Sequence, residues 1–131
     1  MAGATVNLND EPTNIDTSND SIVIVDVLMA KRGGTTLDVT GFTPNILKSG
    51  LLIIKETATK IYKPMPLNPG ATAYDALPSG HSYAGVLIAT IRKSQPFAAV
   101  MEAGKVNEAA APYAFPAGAK TALNLILFTQ D

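Results

Sequence analysis

The hydrophobic residues of this chain come in short runs rather than in a helical repeat. Ser21-Ile22-Val23-Ile24-Val25-Asp26-Val27-Leu28-Met29 is rich in β-branched residues, and Thr35-Thr36-Leu37-Asp38-Val39-Thr40 alternates. Lys31-Arg32-Gly33-Gly34 separates them. β-Branched side chains suit a pleated surface and paired glycines permit a positive-φ turn, so a hairpin is predicted over residues 21–40. Leu51-Leu52-Ile53-Ile54 predicts a short buried strand, and Lys60-Ile61-Tyr62-Lys63 another with Ile61 inward. Residues 64–80 hold Pro64, Pro66, Pro69, Gly70, Pro78 and Gly80, which predicts an irregular loop anchored by Tyr74.

Residues 82–91 form the strongest strand pattern and are expected at the centre of the sheet. Pro96 interrupts, and Phe97-Ala98-Ala99-Val100-Met101 resumes. A tight turn is expected at Gly104, then a one-turn helix capped by Asn107. The Asn side chain would accept from a helical N–H that has no other partner. Glu108 would sit where the helix dipole favours a carboxylate, and Pro112 would close the turn. Residues 117–123 predict a second short helix, weakened by Gly118, and Leu125-Ile126-Leu127-Phe128 a last strand. Tyr62, Phe97 and Phe128 are expected in the core. The fold class that follows is a β-rich α+β domain of short strands over residues 21–131.

Residues 1–20 differ. They are polar, with Val6, Leu8 and Ile15 sparse and aperiodic, and read as an extended N-terminal arm. A disordered terminus and an arm that adds a strand to a neighbour's sheet edge have the same composition. All ten Lys and Arg lie beyond residue 30, whereas Asp10, Glu11, Asp16, Asp20 and Asp26 precede them. Asp10, Glu11, Ile15 and Asp16 are the candidate contacts of this arm with a partner.

Composition narrows the chemistry. A chain of 131 residues can bury a real core as one domain. With no cysteine, thiol catalysis, disulfides and cysteine-based metal sites are excluded. The single histidine, His81, leaves no His pair for a metal site or relay, so neither metal nor cofactor is expected. Charged residues make up 16% of the chain, against roughly 25% in a typical soluble protein. A small domain this poor in charge is expected to hide surface against a partner, which favours an oligomer or assembly. The start Met1-Ala2-Gly3-Ala4-Thr5 has neither a basic nor an apolar leader segment, so synthesis and action from a cytoplasm are expected. The apolar runs are too short to span a bilayer as helices, and no membrane partner is expected. Nucleic acid is not expected either: Lys55, Lys60 and Lys63 suit solvent-facing strand positions rather than a basic face with interleaved aromatics.

Four clusters invite a catalytic reading, and each has a plainer one. His81 between Gly80 and Ser82 reads as a loop residue bonding local backbone. Ser79 and Ser82 near it lack the Gly-x-Ser-x-Gly elbow and a third orienting group for a hydrolase. Glu102 and Glu108 could converge as a carboxylate pair, but read better as a solvated strand-end charge and a helix-start charge. Lys31-Arg32-Gly33-Gly34 lacks the Gly-Lys-Thr end of a phosphate loop.

One order of motifs is more specific. Ala84-Gly85-Val86-Leu87-Ile88, a linker, Ala98-Ala99-Val100-Met101 and Gly104-Lys105-Val106-Asn107-Glu108-Ala109-Ala110 follow one another. Upstream lie Ile46-Leu47-Lys48-Ser49-Gly50-Leu51-Leu52 and Lys60-Ile61-Tyr62-Lys63-Pro64. This order resembles the head-decoration, or capsid cement, proteins of tailed bacteriophages, over roughly residues 44–129. The chain departs from that pattern at Ile91-Arg92-Lys93-Ser94-Gln95-Pro96, basic where the family carries an acidic loop, and residues 1–40 have no counterpart. The resemblance implies a structural, non-enzymatic virion protein on the capsid exterior, stabilising the assembled shell. It also implies a homotrimer at local threefold positions, with the major capsid protein as partner. The alternative is a head-fibre or adhesin module that binds a carbohydrate or another virion protein.

Overall fold

The computed structural model describes residues 17, 18, 20–31 and 34–130, without the side chain of Ser21. A one-turn helix, α1 (Asp20–Val23), leads into β1 (Ile24–Ala30), followed by the two-residue strands β2 (Thr35–Thr36) and β3 (Ile46–Leu47). Then come β4 (Leu52–Glu56), β5 (Tyr62–Pro64), β6 (His81–Leu87), β7 (Ile91–Arg92), β8 (Phe97–Ala98) and β9 (Val100–Asn107). Helix α2 (Ala117–Ala122) and β10 (Ile126–Thr129) end the fold. The domain is thus small, β-rich and α+β, as the runs imply.

The main sheet has the order β1-β9-β6-β4-β5, with β10 added parallel to β9; β2-β8 and β3-β7 form two small antiparallel pairs. Alternation along the central strands splits the apolar residues into two cores. Leu52, Ile54, Val86 and Met101 join one cluster with Val23, Val106, Phe115, Ala119, Leu123 and Ile126. Leu51, Ile53, Leu87 and Val100 join the other with Leu37, Phe42, Leu47 and Ala98. The sheet is therefore the middle layer of three, and β4 has large side chains buried on both faces, as a central strand should. Tyr74 ties the layers together: its hydroxyl accepts from the Leu52 N–H at 2.8 Å, and its ring lies 5.3 Å from that of Tyr113 and 6.4 Å from that of Phe115. The Pro/Gly loop of residues 64–80 is thereby anchored through Tyr74. Burial pushes the phenol pKa of Tyr74 up.

Four expectations are corrected. Residues 21–40 do not form a hairpin: residues 21–23 belong to α1, β1 pairs with β9, and β2 pairs with β8. The turn after β1 carries the chain out of the main sheet, with the Gly34 N–H bonding to the Lys31 carbonyl (3.2 Å) and the Leu37 N–H to the Pro96 carbonyl (2.8 Å). Gly104 is not at a tight turn but lies inside β9, opposite Val27 on one side and Ile126 on the other. Its φ is +155°, and a Cβ built there would overlap the Asp26 carbonyl oxygen and sit 2.6 Å from Met101 Sδ. Glycine is required there by the close approach of β1. Phe97 is 62% exposed, because alternation gives the core position to its neighbour Ala98, and Phe128 and Tyr62 are half-buried. Ile61 is exposed at the β4–β5 connection, beside Lys60, which takes a positive φ of 63°.

Candidate functional site

Of the turn residues singled out in the sequence, Asn107 keeps its capping role but caps no helix. It ends β9, buried, with its Oδ1 accepting from the Ala109 N–H (3.1 Å) and its carbonyl from the Ala110 N–H (3.2 Å). The chain reverses there in a hydrogen-bonded turn, the Asx geometry that Asn favours. Glu108 does not meet a helix N-terminus. It pairs with Lys120 at 2.6 Å and accepts from Gln130 Nε2 at 3.1 Å, pinning the turn to α2 and the chain end. These bonds, the Lys120 one first, hold its carboxyl below the usual range. Pro112 lies in the bend that follows. Glu102 is exposed on β9, so the two glutamates are separate features. Asp10, Glu11, Ile15 and Asp16 lie outside the described residues.

The other chemistry-bearing side chains hold the fold. His81 opens β6, and its Nδ1 donates to the Ser79 carbonyl (2.9 Å). The Lys63 ammonium can only donate, so Nε2 is the acceptor of that bond (3.2 Å). Asp38 accepts from both the Thr40 hydroxyl (2.7 Å) and the Thr40 N–H (3.1 Å), which lowers its pKa. Asp38, Lys63 and His81 line a cleft of about 260 Å³ floored by Phe42 and Ile54. A second cleft of about 270 Å³ is walled by Asp20, Ser49 and Thr90. There Asp20 accepts from the Thr90 N–H (2.9 Å) and hydroxyl (2.7 Å), Thr90 Oγ1 accepts from the Ser49 N–H (3.0 Å), and Ser49 donates to the Ile88 carbonyl (2.7 Å). This chain of bonds staples the start of α1 to the loops before β4 and after β6, which meet at one end of the sheet. Among the described residues, no group of three or more His, Asp and Glu could hold a metal ion. No helix among them is long and apolar enough to cross a membrane.

The unusual surface lies elsewhere. The second core covers β4, β6 and the start of β9, and includes nothing from β1 or β10. At that end, among the described residues, the second cluster does not extend over the sheet. On the packed face, Ile24 aligns with Val106 and Phe128, and Gly104 with Ile126. On the opposite face the register places Asp26, Lys105 and Leu127 in one row and Met29 beside Ala103 in the next. Leu127 is 60% exposed, Leu125 is 65% and Met29 is 56%. Ile22, Val25, Val27 and Leu28 add further exposed apolar surface along the edge strand. Scattered exposed leucines are ordinary, whereas several exposed apolar residues gathered at one sheet end are not. Apolar β-branched runs are visible in the sequence, but which face of them stays uncovered depends on long-range register. No family model matches the chain, and no curated protein or solved structure matches it.

Proposed function

We propose that the protein is a structural component of a tailed-phage virion that binds the outer surface of the assembled capsid and stabilises it. Its partners are the major capsid protein and other copies of itself, the trimer implied by the motif order. The observation that carries this reading is the exposed apolar group of Met29, Leu125 and Leu127 at the end of the sheet that, among the described residues, the second cluster does not cover. A threefold contact joins two different surfaces of the same chain, and this face is apolar enough to serve as one of them. Support also comes from the polar side chains: Asp20, Asp38, Ser49, His81 and Glu108 are committed to bonds within the fold. No reaction is needed. A ligand that binds only the assembled shell stabilises it by mass action, by about 2.7 kcal/mol per site at a hundredfold excess over Kd.

The test is co-sedimentation of the purified protein with expanded empty shells that lack it, followed by heating. Saturable binding that raises the temperature of shell disruption is expected. Shells that neither retain the protein nor gain stability from it would overturn the reading.

A further inference from the structure

The main sheet ends in β1 and β5, which are finished differently, and among the described residues the four-residue β10 pairs with β9 alone. β5 is three residues long and ends in Pro64, which has no N–H to offer. Its Tyr62 carbonyl already accepts from the Asp38 N–H at 2.9 Å. β1 is seven residues long, contains no proline, and among the described residues has no strand on its outer side. Three register shifts against β9 interrupt β1, one of the devices that blunt an edge, but its outer side stays without a strand among the described residues. Val25, Val27, Leu28 and Met29 are exposed along it, and Asp26 is its one charged residue. Edges left in water are usually short, charged or interrupted by proline, because open backbone groups beside apolar side chains recruit another strand.

We propose that β1 pairs antiparallel with β1 of a second copy about a two-fold axis, joining two main sheets into one. Contact of β1 with β1 uses the same strand of both chains and is isologous, and a two-fold axis across the strands relates them antiparallel. The charge pattern fits this occupant. Asp26 lies toward one end of the strand and residues 27–30 are apolar, so an axis at Leu28 sets each Asp26 opposite Ala30 of the second copy. No like charges meet, and Val27, Leu28 and Met29 leave water together. The segment of residues 1–16 in the same chain fits less well, because its apolar residues are sparse and it carries Asp10, Glu11 and Asp16. This contact goes beyond the capsid reading and does not depend on it. It is separate from a threefold contact, and the two together would link trimers to one another.

The test uses the full chain in solution at micromolar concentration. Native mass spectrometry is expected to show even-numbered species, a dimer or a hexamer. Leu28→Lys alters a side chain already 75% exposed, so the far-ultraviolet circular dichroism spectrum stays unchanged while the even-numbered species is lost. The chain has no cysteine, so single Cys variants at positions 25, 27, 28, 29 and 30 report the register under mild oxidation. Disulfide-linked dimers are expected to peak at position 28 and fall toward both ends, with little at Leu127→Cys. A chain that is only monomeric or only trimeric, or cross-linking no stronger along β1 than at position 127, would overturn the proposal. Those results would assign the edge to the chain's own N-terminal segment or to a strand of another protein. Shell binding without the dimer would refute this contact alone, and a dimer without shell binding would refute the capsid reading alone.

Discussion

Replacing Gly104 by alanine separates a glycine at a turn from a glycine between two strands. At a turn with open space around it, the added methyl costs only the backbone strain, about 1 kcal/mol. Gly80 is such a site, with φ +75° and nothing within 4 Å of a built Cβ. At Gly104 the φ of +155° is likewise rare for an L residue, and the methyl would also collide with the Asp26 carbonyl oxygen and Met101 Sδ. A carbonyl in a paired strand cannot move without opening its ladder, and overpacking of this kind costs about 1–3 kcal/mol in addition to the strain. The expected losses are therefore about 1 kcal/mol for Gly80→Ala and about 3 kcal/mol for Gly104→Ala. Urea unfolding measures both. Hydrogen exchange adds a spatial readout, since Gly104→Ala should release the amides of Ile24–Ala30 and leave those of Leu52–Glu56 protected. Equal losses for the two variants, with β1 amides unchanged, would refute the placement of Gly104 against β1.

Three further outcomes follow from named contacts. Tyr74→Phe leaves the Leu52 N–H without its acceptor and should lower stability by about 1–3 kcal/mol, read by urea unfolding. Asp20→Ala removes the acceptor of both Thr90 bonds and should cost about 1 kcal/mol, with faster exchange in α1 and at residue 90. Glu108 and Asp38 have folded pKa values below their ordinary 4.5 and 3.8, so the stability they add is present above those values and is lost as pH falls through the folded ones. Melting temperature should therefore drop on acidification below about pH 4.5, with a smaller drop in Glu108→Gln, read by thermal melts across pH.

The elements whose signals are local were legible in the sequence. β4, β6, β10 and α2 stand where the runs of residues 51–54, 82–91, 125–128 and 117–123 place them, to within a few residues. What failed was pairing. The Ile/Val run before Gly33-Gly34 looked like half a hairpin, yet its partner is β9, more than seventy residues later, and nothing in the local pattern encodes that distance. Gly104 carried a correct signal, a position closed to side chains, but a turn and a close strand approach both require glycine. Asn107 shows the same ambiguity, since an Asx side chain bonds forward in a turn as readily as in a helix cap. The uncovered face was the least legible feature. The run of residues 125–128 predicts a strand but not its faces; the parallel register of β10 on β9 buries Ile126 and leaves Leu127 outward.

The direct test of the proposed capsid binding is image reconstruction of tailed-phage particles assembled with and without this protein. Regular knobs of density are expected over the capsid exterior at local threefold positions, each holding three copies of the chain, with their loss from particles assembled without it. Particles with no such density, or with only sparse projections at isolated positions, would contradict the claim that this protein binds and stabilises the shell.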